Sequence, residues 1–156
     1  MKSVFAALAA SVCLAALTAN AQNGPRPSAA PPPANSTDIP GLGEIMTLQQ
    51  LRHIKLWFAG HAGNWALAEY EIGELKEGFE DVDKVVGGGT VEKMTGAPIM
   101  ELQKAVDAKN NAAFAAAFDT LSAGCNNCHH ALDHAFIVIQ RPTLLPYSDQ
   151  SFTLVK

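Results

Sequence analysis

Apolar residues recur at helical spacing in four stretches of this chain, the pattern of an all-α protein. The first predicted helix runs from about Gly43 to Ala59. Leu48, Leu51, Lys55 and Phe58 line one of its sides, and Met46, Gln50, His53 and Trp57 line an adjacent one. Gly60 and Gly63 mark the turn that follows. The second helix spans about Asn64 to Val86. Ala68, Ile72, Leu75, Phe79, Val82 and Val86 form its apolar stripe, while Glu69, Glu74, Glu77 and Asp81 turn to water. Gly87-Gly88-Gly89 ends it, because the chain must leave the helical region there. A shorter third helix is expected from Pro98 to Lys109, with Ile99, Leu102 and Val106 inward; proline suits a first helical position. Asn110 and Asn111 separate it from the fourth helix, where Phe114, Phe118, Leu121, Cys125, Cys128 and Leu132 form a heptad-like stripe. The run Ala135 to Ile139 reads either as an extension of that helix or as a strand. Arg141-Pro142 stops any helix. The tail to Lys156 is expected to wrap over the helices as irregular chain, with Tyr147 and Phe152 as anchors.

Ahead of the helices, Lys2, the apolar run Val4 to Leu17 and then Ala19-Asn20-Ala21 read as a signal peptide over 1–21. The apolar run is shorter than the roughly 20 residues a spanning helix needs, so no stable membrane span is expected after cleavage. Cys13 lacks the neighbours of a lipoprotein acylation site. Six of the nine prolines lie between Gln22 and Gly43, Pro31-Pro32-Pro33 among them. Residues 22–42 therefore read as an extended tether, and 43–156 as one small domain. The formal net charge of −4 becomes one unit more negative when Lys2 is removed, and no basic cluster is visible. Nucleic acid is thus an unfavoured partner, while an acidic surface suits steering toward a basic redox partner or simple solubility.

Within the fourth stripe lies Cys125-Asn126-Asn127-Cys128-His129. Cys-x-x-Cys-His is the attachment signature of c-type haem: two thiols bond the vinyl groups as thioethers, and the histidine ligates the iron. On a helix, residues three and four apart share a face, so both thiols reach one porphyrin edge and His129 follows under the metal. The cysteines share their face with Phe114, Phe118 and Leu121, so the cofactor is expected to be part of the core. Signal cleavage removes Cys13, the third of three cysteines, and leaves no spare pair for a structural disulfide. A thioredoxin-like dithiol needs a βαβ context that is missing. A tetrahedral zinc site needs four ligands; His129, His130 and His134 offer nitrogens for it, but no second cysteine pair exists.

Four helices with Cys125 to His129 near the end of the last one resemble the cytochrome c′ family over about Gly43 to Ala135. The block Arg52 to Gly60 also resembles a stretch of exported proteobacterial proteins of this kind, which implies no function. Against the family pattern, the helices look short and the tail after His134 is long. The resemblance implies an antiparallel four-helix bundle, one covalent haem c on Cys125 and Cys128, and His129 as proximal iron ligand. It also implies that the first helix faces the other side of the haem. Met46 and His53 are the candidates there, about two turns or roughly 10 Å apart, so only one can sit over the iron. A fourth helix that stops near Asp133 brings His129 level with Met46; one that continues to Ile139 brings it level with His53. An empty sixth position is the third possibility. Trp57 is expected to pack beside the haem, and Lys55 and Arg52 either pair with its propionates or are solvated.

These readings imply an electron-transfer protein of the periplasm, working with redox partner proteins, in which the axial ligand and burial set the potential. Binding of nitric oxide or carbon monoxide at an open distal position is the second possibility, and a homodimer through the first two helices is common in the resembling family. Peroxidase-like catalysis needs a distal acid/base and an open iron site; only His53 offers itself, and no other catalytic constellation is apparent.

Overall fold

The computed structural model describes residues 40–145 and 147–154. The expected signal peptide, and all of the proline-rich tether before Pro40, lie outside the described residues. Four helices form the fold: α1 (Leu42–His61), α2 (Trp65–Val86), α3 (Thr90–Asp107) and α4 (Asn111–Ala131). No strand occurs among the described residues. Each connection is three residues long, which obliges consecutive helices to pack antiparallel. The bundle is closed unevenly: α1 packs on α2 and α3 on α4, with α2 against α3, while of these neighbouring pairs α1 and α4 meet least.

Local chemistry explains the boundaries. Asn64 and Asn110 precede α2 and α4, and their side-chain oxygens accept from the Leu67 and Ala113 amides at 3.3 and 3.0 Å, the usual N-cap bonds. The three glycines after α2 all have positive φ (76°, 71° and 61°), a run that side chains resist.

The third helix departs from the sequence expectation. It starts at Thr90, directly after the glycines, and carries Pro98 in its interior. Its N-terminus is capped from the preceding helix: Asp83 accepts from the Val91 and Glu92 amides at 3.0 and 3.3 Å. Pro98 has no N–H for the Met94 carbonyl one turn back. Against that same carbonyl comes Gly124 of α4, where a Cβ would lie only 2.6 Å from the oxygen. The proline is tolerated where another helix approaches the carbonyl it leaves free.

The inward face of α1 also differs. Ile45, Gln49, His53, Leu56 and Gly60 are buried, a line between the two stripes expected, and Leu48 is half exposed. Apolar residues are spread around this helix, so pattern alone picks no single face. Gln49 is inside because its amide donates to the Leu75 carbonyl at 2.8 Å. On α2 the buried acid is Glu71, paired with Lys55.

Two clusters fill the interior. One gathers Leu56, Ile72, Leu102, Phe114, Phe118 and Leu121 with their neighbours; the other, at the end where α1 begins and α4 finishes, gathers Ile45, Val82, Val91 and Cys128. Beyond α4 the segment Ala135 to Ile139 is neither helix nor strand. Phe152 anchors the tail in the larger cluster, its ring 6.0 Å from that of Phe58, whereas Tyr147 is exposed.

Candidate cofactor site

Gly124 brings α4 close to α3 immediately before Cys125. Cys125 and Cys128 follow one turn apart and line a cavity of about 360 Å³, within the roughly 300–1,000 Å³ of small-molecule sites. Met46 and His53 of α1, Phe79 and Val82 of α2, and Val91 of α3 contribute walls, and His129 lines the same space. The cavity lies at the end of the bundle where α1 and α4 part.

Both thiols are free, and both are held protonated. Loss of solvent pushes Cys125 up to about 12, with the neighbouring Cys128 adding to the effect. Burial raises Cys128 as well, assisted by the charge of Asp83. A redox-active dithiol depends on a lowered thiol pKa, which this site opposes. No group of three or more His, Cys, Asp or Glu side chains arranged to hold a metal ion occurs among the described residues.

The chain after α4 returns along the same helix. Asp133 has φ 60° and the His134 amide reaches back to the His129 carbonyl at 2.7 Å, a Schellman-type end with an aspartate in the usual glycine position. The Ile137 amide bonds the His134 carbonyl, and from there Ile137 and Ile139 line the cavity. His129 Nδ1 lies 2.9 Å from the Ile137 carbonyl. A carbonyl only accepts, so Nδ1 carries the proton and Nε2 of the neutral ring keeps its lone pair. That is the arrangement by which ligating histidines are usually oriented.

On the opposite wall, His53 is buried against Phe118, ring centroids 4.3 Å apart. Its Nε2 lies 2.9 Å from Ser122 Oγ, and the Ser122 hydroxyl donates to the Phe118 carbonyl at 2.9 Å. The serine has one proton, so His53 donates Nε2–H and is neutral; burial pushes its pKa down to about 4. Because α1 and α4 are antiparallel, the contact of His53 with Ser122 fixes their register. Met46 is seven residues before His53, and His129 seven residues after Ser122. Met46 is therefore the α1 residue level with His129, as expected for a fourth helix that ends before Asp133.

Other candidates are placed elsewhere. Trp57 does not line the cavity: one turn further along α1, it packs against Phe114 and Phe118 and stacks on His61. Arg52 and Lys55 are ion-paired with Glu74 and Glu71 of α2 and do not line the cavity. His130 is exposed. His134 lines the cavity with its Nδ1 bonded to the Leu132 carbonyl. Sequence reasoning missed Ser122, Asn126, Ile137 and Ile139, which carry no chemistry of their own and act by what they touch.

No family model, curated protein or solved structure matches this chain. No described helix is long and apolar enough to cross a membrane. The donor set itself fits haem c. Two thiols one helical turn apart and an imidazole with its Nε2 unprotonated border one apolar cavity.

Proposed function

We propose that this is an exported c-type cytochrome that carries single electrons in the periplasm and meets redox partner proteins there. The observation that carries the reading is the convergence of Cys125, Cys128 and His129 on one cavity, with the histidine held in the Nδ1–H tautomer. Cys125 and Cys128 would hold the haem as thioethers, and His129 would ligate its iron. Bound there, the haem supplies reversible Fe(III)/Fe(II) exchange. Phe79, Val82 and Val91 would border it with apolar side chains, and the potential would depend on burial and axial ligand. On the register argument Met46 would be the α1 side chain that meets the iron from the other side, while His53 Nε2 is engaged with Ser122.

The test is the absorption spectrum of the protein exported together with a haem c maturation system, reduced and oxidised, with and without carbon monoxide. A low-spin spectrum indifferent to carbon monoxide is expected, turning high-spin and responsive in Met46→Ala but not in His53→Ala. A wild type that binds carbon monoxide moves the function to gas binding. Absence of covalent haem refutes both.

A further inference from the structure

Asn126, the first variable residue of the motif, is bonded to the returning tail at two points. Its Oδ1 accepts from the Ile139 amide at 2.7 Å, and its Nδ2 donates to the Ile139 carbonyl at 2.9 Å. The side-chain amide thus satisfies both backbone groups of one residue, as a paired strand would. Two residues away the Ile137 carbonyl holds His129 Nδ1. Two residues beyond, Arg141 forks onto Asp119 at 2.6 and 2.7 Å, bonds the Ala115 carbonyl, and lies over the Trp57 ring at 4.7 Å. The tail from Ile137 to Arg141 is therefore a strap laid antiparallel on α4. It spans to α1 along the side where those two helices meet least.

Alternation makes the strap selective. Ile137 and Ile139 face the cavity, while Phe136 and Val138 are strongly exposed. Little apolar burial therefore holds this segment in register, and polar bonds must do so. A slip by one residue would exchange the inward and outward side chains and move the carbonyl that fixes His129.

We propose that Asn126 is a positioning residue: by gripping the Ile139 peptide it sets the strap so that the Ile137 carbonyl locks the tautomer and orientation of His129. The proposal rests on the haem reading for its consequence, but the grip and the tautomer are measurable without it. Asn126→Leu removes both bonds. Asn126→Asp retains an acceptor for the Ile139 amide. Ile139→Pro removes that amide and leaves the motif untouched.

Hydrogen exchange is followed over residues 135–141 in the exported full chain, alongside the spectrum and the reduction potential. Exchange about tenfold faster is expected in Asn126→Leu and Ile139→Pro, and less change in Asn126→Asp, since a net hydrogen bond is worth close to a tenfold factor. With covalent haem retained, the potential and the reduced spectrum shift in the same order. Unchanged exchange overturns the grip, and faster exchange with an unchanged spectrum and potential overturns the positioning role. If the wild type carries no haem, the function proposed above fails while this proposal is still decided, by the ring ¹⁵N shifts of His129. An Nδ1–H tautomer that becomes mixed in Asn126→Leu supports it, and an unchanged tautomer overturns it.

Discussion

His53 should make this fold acid-sensitive by an amount that can be worked from its surroundings. In the unfolded chain the imidazole titrates near 6.5; in the folded protein burial lowers it to about 4. Above pH 6.5 the ring is neutral in both states and costs nothing. Between 6.5 and 4 the unfolded state binds a proton that the folded state refuses, so stability falls as the pH falls. The slope is about 1.4 kcal/mol per pH unit, and the total loss about 3 kcal/mol. Below pH 4 the contribution levels off. Since small domains are stable by roughly 5–15 kcal/mol, the loss is large. Urea unfolding of wild type and His53→Gln at intervals from pH 7.5 to 3.5 measures it. The variant loses the Phe118 contact and is weaker at neutral pH, but only the difference in slope matters. His61, His129, His130 and His134 are common to both proteins and cancel. The stability gap should narrow by about 3 kcal/mol between pH 7 and 4. A gap that stays constant over that range refutes the buried neutral histidine, and with it the tautomer assigned to His53.

Two further substitutions probe the framework that presents the motif. Gly124→Ala places a Cβ against the Met94 backbone oxygen, which cannot rotate away; a loss of about 1–3 kcal/mol is expected, read by thermal unfolding, together with a lower yield of covalent haem. Asp83→Ala removes the acceptor for two amides at the start of α3 and should cost about 1 kcal/mol, with hydrogen exchange accelerated at Val91 and Glu92.

The fold was largely legible because its helices obey local rules. The stripe of α2, the glycines at the end of α1 and the glycine run after α2 are signals within a few residues of one another, and α2 and α4 lie close to where their patterns end. What escaped was decided by partners far along the chain. Pro98 reads as a helix start because proline suits that position; its interior place, with Gly124 of α4 close to the Met94 carbonyl it leaves free, depends on a residue far along the chain. The start of α3 was hidden because its cap, Asp83, belongs to α2. In α1 the apolar residues encircle the helix, so the inward line through Gln49 and His53 depends on Leu75 and Ser122. The motif residues at the site were visible because their spacing is chemical. The register of α1 against α4 was not, because it turns on where α4 stops and on a serine that offers no pattern.

The cavity itself bears on why these features occur together. An apolar void of about 360 Å³, sealed and dry, would cost about 9 kcal/mol at roughly 24 cal/mol per Å³, comparable to the whole stability of a small domain. Exposed Thr47 and Gln50 also line it, so water enters and relieves part of that cost. Phe79, Val82, Val91 and Leu121 form part of its apolar wall. A four-helix bundle with three-residue connections could close α1 onto α4 and eliminate the void. Instead the tail bridges the two helices with Arg141 and walls the space with two isoleucines. A group bonded to Cys125 and Cys128, as proposed above, would fill the gap and remove that cost. Preventing attachment should accordingly lower stability as well as remove the chromophore. Cys125→Ala with Cys128→Ala is expected to unfold at least 10 °C below the haem-bearing wild type, since a loss of only about 2–3 kcal/mol already moves a domain of this size that far. A haem-free double variant as stable as the loaded protein would mean that the cavity is tolerated empty, and the argument from its cost would fall.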